Sequence, residues 1–144
     1  MSDQVALVTG AGIGLGRATA LALANAGYHV MVTDVLPEEG HGVVTEIIER
    51  GGAAEFHALD VTDTATANTV VGRIQDQYGA VSALVLNAGI ARTLPLGTLE
   101  DAAWDETMNV NLKGMMRVMR AAIPGMQENG AGAIVCLSSI VGAV

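Results

Sequence analysis

The sequence predicts an α/β fold in which helices cover both faces of a parallel sheet. Short apolar runs alternate five times with helical segments along the 144 residues, with no break in composition. Most runs are nearly continuous in Val, Leu, Ile and Ala, which is typical of strands buried on both faces. Polar residues or glycines follow each run, and a parallel sheet brings those ends to one edge, where ligands bind. We therefore expect a single domain over residues 1–144 with a ligand site at that edge.

Glycine, proline and capping residues bound the predicted elements. Gly27 and Gly79 end two helices, Pro37 begins another, and Thr62 or Asp63 can cap the third. The predicted elements are strand 5–8, helix 17–26, strand 28–33, helix 37–50, strand 54–59, helix 63–78, strand 83–86, helix 100–127 and strand 133–137.

The longest predicted helix, residues 100–127, carries an apolar stripe at steps of three or four residues. This stripe is interpreted as core and consists of Trp104, Met108, Leu112, Met115, Met119, Ile123 and Met126. Met116 and Val118 lie off the stripe, so we expect part of a second face to be covered by another subunit of a homo-oligomer. Pro124 and Gly125 mark the position at which the helix could break.

A glycine-rich turn, residues 9–16, follows the first strand and precedes the first helix. Its spacing is Gly-x-x-x-Gly-x-Gly, formed by Gly10, Gly14 and Gly16. Glycines let a pyrophosphate approach the backbone, and the helix N-terminus supplies free N–H groups and a positive dipole end. The pattern therefore indicates a phosphate cradle, although a tight strand-to-helix connection would use the same residues.

Two carboxylates follow the second and third strands. Asp34 lies 24 residues after Gly10, near the spacing expected for the acidic residue that binds an adenosine ribose. A carboxylate there repels a 2′-phosphate and no basic residue follows it, so we predict NAD rather than NADP. Asp60 and Val61 could flank an adenine edge. In the alternative interpretation Asp34 only ends a strand and Asp60 only forms a capping turn.

Small polar residues follow the fourth strand. Asn87, Ala88 and Gly89 form a turn that can hold the backbone and let a flat ligand pass closely, although a plain loop would use the same residues. Asn111 is unusual within a helical run, because its side chain competes for backbone hydrogen bonds. A buried structural Asn is the alternative.

Composition disfavours several classes of function. The net charge is −8 and the only lysine is Lys113, which argues against a nucleic-acid partner. No apolar stretch approaches the roughly 18 residues of a membrane span, and no secretory signal precedes the first strand, so we expect no membrane association and a cytoplasmic protein. The lone Cys136 cannot form an internal disulfide, and the three histidines lack metal-ligand spacing, so we expect no metal site.

Taken together, the motifs resemble those of the short-chain dehydrogenase/reductase family, in the same order and over essentially the whole chain. They are residues 9–16, Asp34, Asp60-Val61, Asn87-Ala88-Gly89, Asn109-Val110-Asn111 and residues 134–139. The resemblance implies a Rossmann-type, doubly wound parallel sheet in the order 3-2-1-4-5. It also implies reversible hydride transfer between the nicotinamide of NAD and a small-molecule alcohol or carbonyl substrate.

The resemblance further implies a role for each matching residue. It assigns the pyrophosphate to Gly10, Ile13, Gly14, Leu15 and Gly16. It assigns the ribose to Asp34, and the adenine to Asp60 and Val61. It places Asn87, Ala88 and Gly89 on the cofactor side of the fourth strand. Ser139 resembles the serine that steadies the substrate oxygen, and Asn111 the asparagine that supports a proton relay.

The family's Tyr-x-x-x-Lys pair, about a dozen residues beyond the serine, has no counterpart in this sequence, since neither Tyr28 nor Tyr78 is followed by a lysine four residues on. We therefore expect a chain truncated after strand five, with that strand exposed as an apolar edge and with negligible turnover alone. The alternative function is a catalytically inactive dinucleotide-binding or oligomerising module. A response-regulator-like domain is disfavoured because it leaves the glycine cradle unexplained.

Overall fold

A computed structural model describes residues 4–92 and 94–139 and confirms the predicted α/β architecture. Five parallel strands form one sheet in the order β3-β2-β1-β4-β5, as the resemblance implies. The strands are β1 (Val5–Thr9), β2 (His29–Asp34), β3 (Ala53–Ala58), β4 (Val81–Leu86) and β5 (Ala133–Cys136). All five residues of the central strand β1 are buried, as expected for a strand with neighbours on both edges and helices on both faces.

Helices connect the successive parallel strands. They are α1 (Gly14–Asn25), α2 (Pro37–Glu49), α3 (Thr64–Tyr78), α4 (Asp101–Met108) and α5 (Met115–Glu128). Of the two candidate caps, Asp63 begins α3, and its carboxylate accepts a hydrogen bond from the Ala65 amide at 2.8 Å. Within the described residues, no helix combines the length and the apolar character that crossing a membrane requires.

Two apolar cores lie on opposite faces of the sheet because side chains alternate along each strand. Val5 and Leu7 of β1 belong to the core under α3 and α5. Val8 belongs to the core under α1 and α2. The sheet is thus held from both sides, and its carboxyl edge is left open for a ligand.

The region predicted as one helix over residues 100–127 consists of α4, a π-helical turn (Asn109–Gly114) and α5. A π turn takes more residues per turn than an α-helix, so the predicted stripe does not stay on one face. Trp104 and Leu112 were expected in the core, but they are 54% and 58% exposed. Val118, which lies off the stripe on the face expected to be partly covered by another subunit, is fully buried in the core of this chain. The core prediction was therefore wrong for Trp104 and Leu112.

The helix does not break at Pro124, where the sequence allowed a break, because α5 continues through it to Glu128. Ala122 and Met126 lie on either side of Pro124 and are both buried in the core. The Gln75 side chain of α3 donates to the Ala122 carbonyl at 3.3 Å. Tertiary packing therefore keeps the chain helical through Pro124, although a proline disrupts a helix that lacks such packing.

β5 is the outermost strand of the described sheet, and all four of its residues are exposed. Ile134 and Val135 point to opposite faces and are 39% and 52% exposed. The apolar edge expected from the sequence is therefore confirmed among the described residues.

Candidate functional site

The turn between β1 and α1 is built on glycines that no other residue could replace without strain. Gly10 and Gly14 have positive φ angles of 62° and 56°, in the left-handed region. A Cβ atom on Gly10 would lie 2.8 Å from the Ala88 Cα atom. A Cβ atom on Gly16 would lie 2.0 Å from the Gly10 carbonyl oxygen. The turn is therefore packed backbone against backbone, with α1 starting inside it.

The first turn of α1 offers its backbone N–H groups to a ligand. Ile13 occupies the N-cap position and makes no side-chain capping bond, and the first turn contains no acidic residue. Ile13 and Leu15 are 58% and 70% exposed beside this end of the helix. Free N–H groups and the positive end of the helix dipole favour an anion at this position. The predicted cradle residues thus lie together around one helix N-terminus.

Asp34, at the end of β2, is pinned by two backbone amides. The Gly12 amide donates to its Oδ2 at 2.8 Å, and the Leu36 amide donates to its Oδ1 at 3.1 Å. The residue is only 7% exposed. A Cβ atom on Gly12 would lie 3.0 Å from Oδ2, so Gly12 has a role that the spacing of the other three glycines did not indicate. The carboxylate is therefore held at a fixed place beside the glycine turn.

Asp60 and Val61 differ in what they offer. The Asp60 Oδ1 atom accepts from the Thr62 amide at 2.8 Å and from its hydroxyl at 2.7 Å, which turns the chain toward α3. The capping-turn interpretation thus describes one role of Asp60, whose side chain also lines the groove described below. Val61 is 6% exposed, and its Cγ2 atom would contact a Cβ atom on Gly114 at 2.7 Å. Its side chain is therefore mostly core.

The loop after β4 is tied to the loop after β1 through Thr9, which the sequence analysis missed. The Thr9 Oγ1 atom accepts hydrogen bonds from the Asn87 and Ala88 amides, each at 3.0 Å. The Asn87 Nδ2 atom donates back to the Thr9 and Gly10 carbonyls at 3.0 and 2.9 Å. In the sequence, the role of Thr9 is indicated only by its position as the polar residue that ends an apolar strand. These four bonds fix the two loops as one unit.

Asn111 lies in the π turn, and both polar atoms of its side chain are bonded to one residue. Its Oδ1 atom accepts from the Ile90 amide and its Nδ2 atom donates to the Ile90 carbonyl, each at 2.8 Å. Asn111 therefore joins the π turn to the loop after β4, which agrees with the structural alternative. Ser139 follows β5, is exposed, and is not among the residues that line the groove.

The carboxyl edge of the sheet forms one groove of about 730 Å³. Its lining residues are Gly10, Ile13, Gly14, Leu15, Asp34, Val35, Leu36, Leu59, Asp60, Val61, Thr62, Asn87, Ala88, Gly89, Ile90, Glu106, Asn109 and Val110. Of the predicted cofactor residues, only Gly16 is missing from this lining, because it packs beneath the turn.

The groove lining is acidic. Asp34, Asp60 and Glu106 contribute three carboxylates, and the described lining contains no Lys or Arg. Glu106 is paired with Arg92, which does not line the groove and whose Nε and Nη2 atoms donate to the Glu106 carboxylate at 3.0 and 2.8 Å. These hydrogen bonds lower the pKa of Glu106, which therefore stays ionised at neutral pH.

The fold and the groove together define a Rossmann-type α/β domain, with a glycine turn and an uncapped helix N-terminus at the carboxyl edge of its sheet. The chain belongs to the short chain dehydrogenase family, whose family model matches residues 4–144. This agrees with the resemblance drawn from the motifs.

Three relatives illustrate the match. The 3-oxoacyl-(acyl-carrier-protein) reductase FabG of Thermotoga maritima is 37% identical over 142 residues, covering 99% of this chain and 58% of that protein. A metagenomic short-chain oxidoreductase, crystallised in complex with NADP, has a TM-score of 0.93 and 36% identity, covering 98% of this chain and 64% of its own. A 3-ketoacyl-ACP reductase from Sinorhizobium meliloti has a TM-score of 0.91 and 40% identity, covering 96% and 55%. The chain thus spans little more than half the length of these relatives.

Proposed function

We propose that this chain carries the dinucleotide-binding half of an oxidoreductase that acts on a small-molecule alcohol or carbonyl compound. The observation that carries the proposal is the groove itself, which combines a glycine turn, an open helix N-terminus and an anchored carboxylate at one edge of the sheet. A nicotinamide dinucleotide supplies the hydride chemistry when bound, and the protein supplies binding and orientation.

The residues present fit such a cofactor. The backbone N–H groups of Gly14 and Leu15 at the start of α1 would hold the pyrophosphate, since no side chain caps them, and Gly16 would let the turn pack closely beneath it. A Cβ atom on Gly14 would meet no protein atom within 4 Å, so the space above it is open for a ligand. Asp34 binds the ribose hydroxyls with the acceptor sites that its two amide bonds leave unused. Asp60, which follows the neighbouring strand β3, binds the adenine amine.

We propose NAD as the preferred cofactor. A 2′-phosphate near Asp34 would face a fixed carboxylate, with two further acids in the lining and no cation among the described lining residues to offset them. The competing candidate is NADP, which the metagenomic relative holds in its crystal structure.

We propose that Ser139 positions the substrate oxygen and that Asn111 holds the loop after β4 through Ile90. Tyr78 does not serve as a general acid at the groove, because its hydroxyl is bonded to Glu55 and the residue is not among those that line the groove. The described groove lining contains no tyrosine, lysine or histidine, and we propose that the turnover of these 144 residues alone is lower by at least about 10²–10⁴-fold than with a positioned proton donor.

We further propose that copies of the chain associate through α4, the π turn and α5. Trp104, Leu112 and Met116 lie along this segment, and each is more than two-fifths exposed. A non-catalytic module that binds a dinucleotide and oligomerises is the second candidate function, and these exposed apolar side chains favour it. A cytoplasmic location agrees with the exposed, unpaired thiol of Cys136.

The proposal is tested by titrating the purified chain with NADH and NADPH and following nucleotide fluorescence. We expect NADH to bind at least about tenfold more tightly, the ratio that one charged hydrogen bond provides. Asp34→Asn should reduce the ratio toward one, since it removes the charge but keeps an oxygen for the Gly12 amide. Asp60→Asn is the comparison variant and should reduce the ratio less than Asp34→Asn does, because its carboxylate is assigned to the adenine and not to the ribose.

Two results would contradict the proposal. Tighter binding of NADPH by the unaltered chain would refute the preference for NAD. The absence of binding by a folded, monodisperse sample would refute the dinucleotide site as a whole.

A further inference from the structure

Arg117, in the first turn of α5, reaches back over the π turn to three acceptors. Its Nη2 atom donates to the Asn109 Oδ1 atom at 2.7 Å. Its Nη1 atom donates to the Asn109 carbonyl at 3.1 Å and to the Val61 carbonyl at 3.4 Å. The residue is half-buried behind the groove and is not among the residues that line it.

The acceptors of Arg117 belong to two separate walls of the groove. Val61 follows β3, Asn109 begins the π turn, and both residues line the groove. The two walls are already in contact where the Val61 side chain packs against Gly114. A Cβ atom at Gly114 would lie only 2.7 Å from the Val61 Cγ2 atom, so the contact requires glycine. Arg117 therefore spans the seam between the turn after β3 and the helical wall.

The π turn also holds the opposite side of the groove. Asn111, two residues beyond Asn109, makes both of its side-chain bonds to Ile90, in the loop after β4. π-helical turns are rare and are found mostly at functional sites. Because this π turn positions Asn111 to bond Ile90, contacts that hold the turn in place also hold that bond. The guanidinium of Arg117 supplies that support where the turn begins.

We infer that Arg117 is a positioning residue of the dinucleotide groove. Its planar fork locks Asn109 to Val61, which fixes the register of the π turn and, through Asn111, the loop at Ile90. A lysine in its place is a single point charge and cannot present two N–H groups in a fixed plane to Asn109. The inference rests on the proposed function for its ligand, NADH, but its effect on the wall is present without any ligand.

The test compares Arg117→Met with Arg117→Lys and with the control Arg120→Met, which changes an exposed arginine on the same helix. We expect Arg117→Met to weaken NADH binding by about tenfold, the effect of losing one charged hydrogen bond. Arg117→Lys should recover only part of that loss, and Arg120→Met should bind like the unaltered chain. Amide hydrogen exchange without ligand should become faster over residues 109–114 in Arg117→Met, less so in Arg117→Lys, and should stay unchanged in Arg120→Met.

A double-mutant cycle with Asn109→Ala separates positioning from general destabilisation. If Arg117 acts through Asn109, the double variant should bind NADH no more weakly than the weaker single variant. If the two residues act independently, the factors by which the single variants weaken NADH binding would multiply in the double variant. If Arg117 only stabilises the fold, Arg117→Met would lower the melting temperature without changing the dissociation constant for NADH.

The outcomes are distinguishable from those of the proposed function. If the unaltered chain binds NADH and Arg117→Met binds it equally well, the inference is overturned while the proposed function stands. If the unaltered chain binds no NADH, the proposed function fails, and hydrogen exchange alone decides whether Arg117 holds the wall. Unchanged exchange over residues 109–114 in Arg117→Met overturns the inference in either case.

Discussion

Thr9→Val removes the hydroxyl oxygen that joins the two loops of the groove while keeping the side-chain shape. Thr9 is 2% exposed, and Val has the same branching at Cβ, so the packing of β1 is retained. The change leaves the Asn87 and Ala88 amides without their acceptor. An unsatisfied buried amide costs about 1–3 kcal/mol, and because both residues are only half-buried we expect about 2–4 kcal/mol in total.

Thr33→Val provides a matched control in the adjacent strand, where Thr33 is the register partner of Thr9. Its hydroxyl donates one bond to the Val8 carbonyl at 2.9 Å, and the residue is fully buried. Losing a single such bond costs about 1 kcal/mol. For a chain of this size about 3 °C of melting temperature corresponds to 1 kcal/mol, so we expect decreases of about 6–12 °C for Thr9→Val and about 3 °C for Thr33→Val.

The assay is thermal unfolding followed by circular dichroism, with urea unfolding to give the free energies directly. Equal decreases for the two variants would refute the reasoning, since Thr9 would then contribute no more than one ordinary side-chain bond. A larger decrease for Thr33→Val would do so more strongly. NADH titration of Thr9→Val then reports whether the two loops must be joined for binding.

Two other predictions concern backbone space and protonation. Gly14→Ala should cost only the left-handed strain of about 1–2 kcal/mol, whereas Gly16→Ala should cost more, because its Cβ atom would lie 2.0 Å from the Gly10 oxygen. Urea unfolding checks the order, and a larger cost for Gly14→Ala would contradict it. Burial lowers the pKa of His57 below its ordinary 6.5, with Glu55 opposing, so the unfolded chain binds the proton more readily. The free energy of unfolding should therefore decrease as pH falls from about 7.5 to about 5.5, and His57→Gln should flatten that decrease; equal slopes would count against it.

The strands and the glycine turn could be read from the sequence because their signals are local. An apolar run closed by a polar residue or glycine marks both the strand and its carboxyl end, and this located Gly10, Asp34 and Asn87 at the groove. The order of the strands is not a local property. It came from the resemblance to a family, not from the pattern of residues.

The π turn could not be read from periodicity, because steps of three and four residues continue through it from Trp104 to Met126. The extra residue in the π turn rotates α4 relative to α5. As a result, some residues of the expected stripe face solvent and others face the core. The unusual Asn111 was the one local sign of the irregularity. Gly12 and Arg117 escaped notice for another reason, since their partners, Asp34 and Asn109, are brought to them only by the tertiary fold.

The π turn also constrains how the length of this segment can vary. Removing one residue between positions 109 and 114 would convert the turn to a regular α-helix and rotate α4 by about 100° relative to α5. Asn111 would then lose Ile90, or Val118 would leave the core, because one rigid helix cannot keep both contacts. Homologues should therefore accept substitutions in this segment far more readily than insertions or deletions, and its length should be as invariant as the groove it supports.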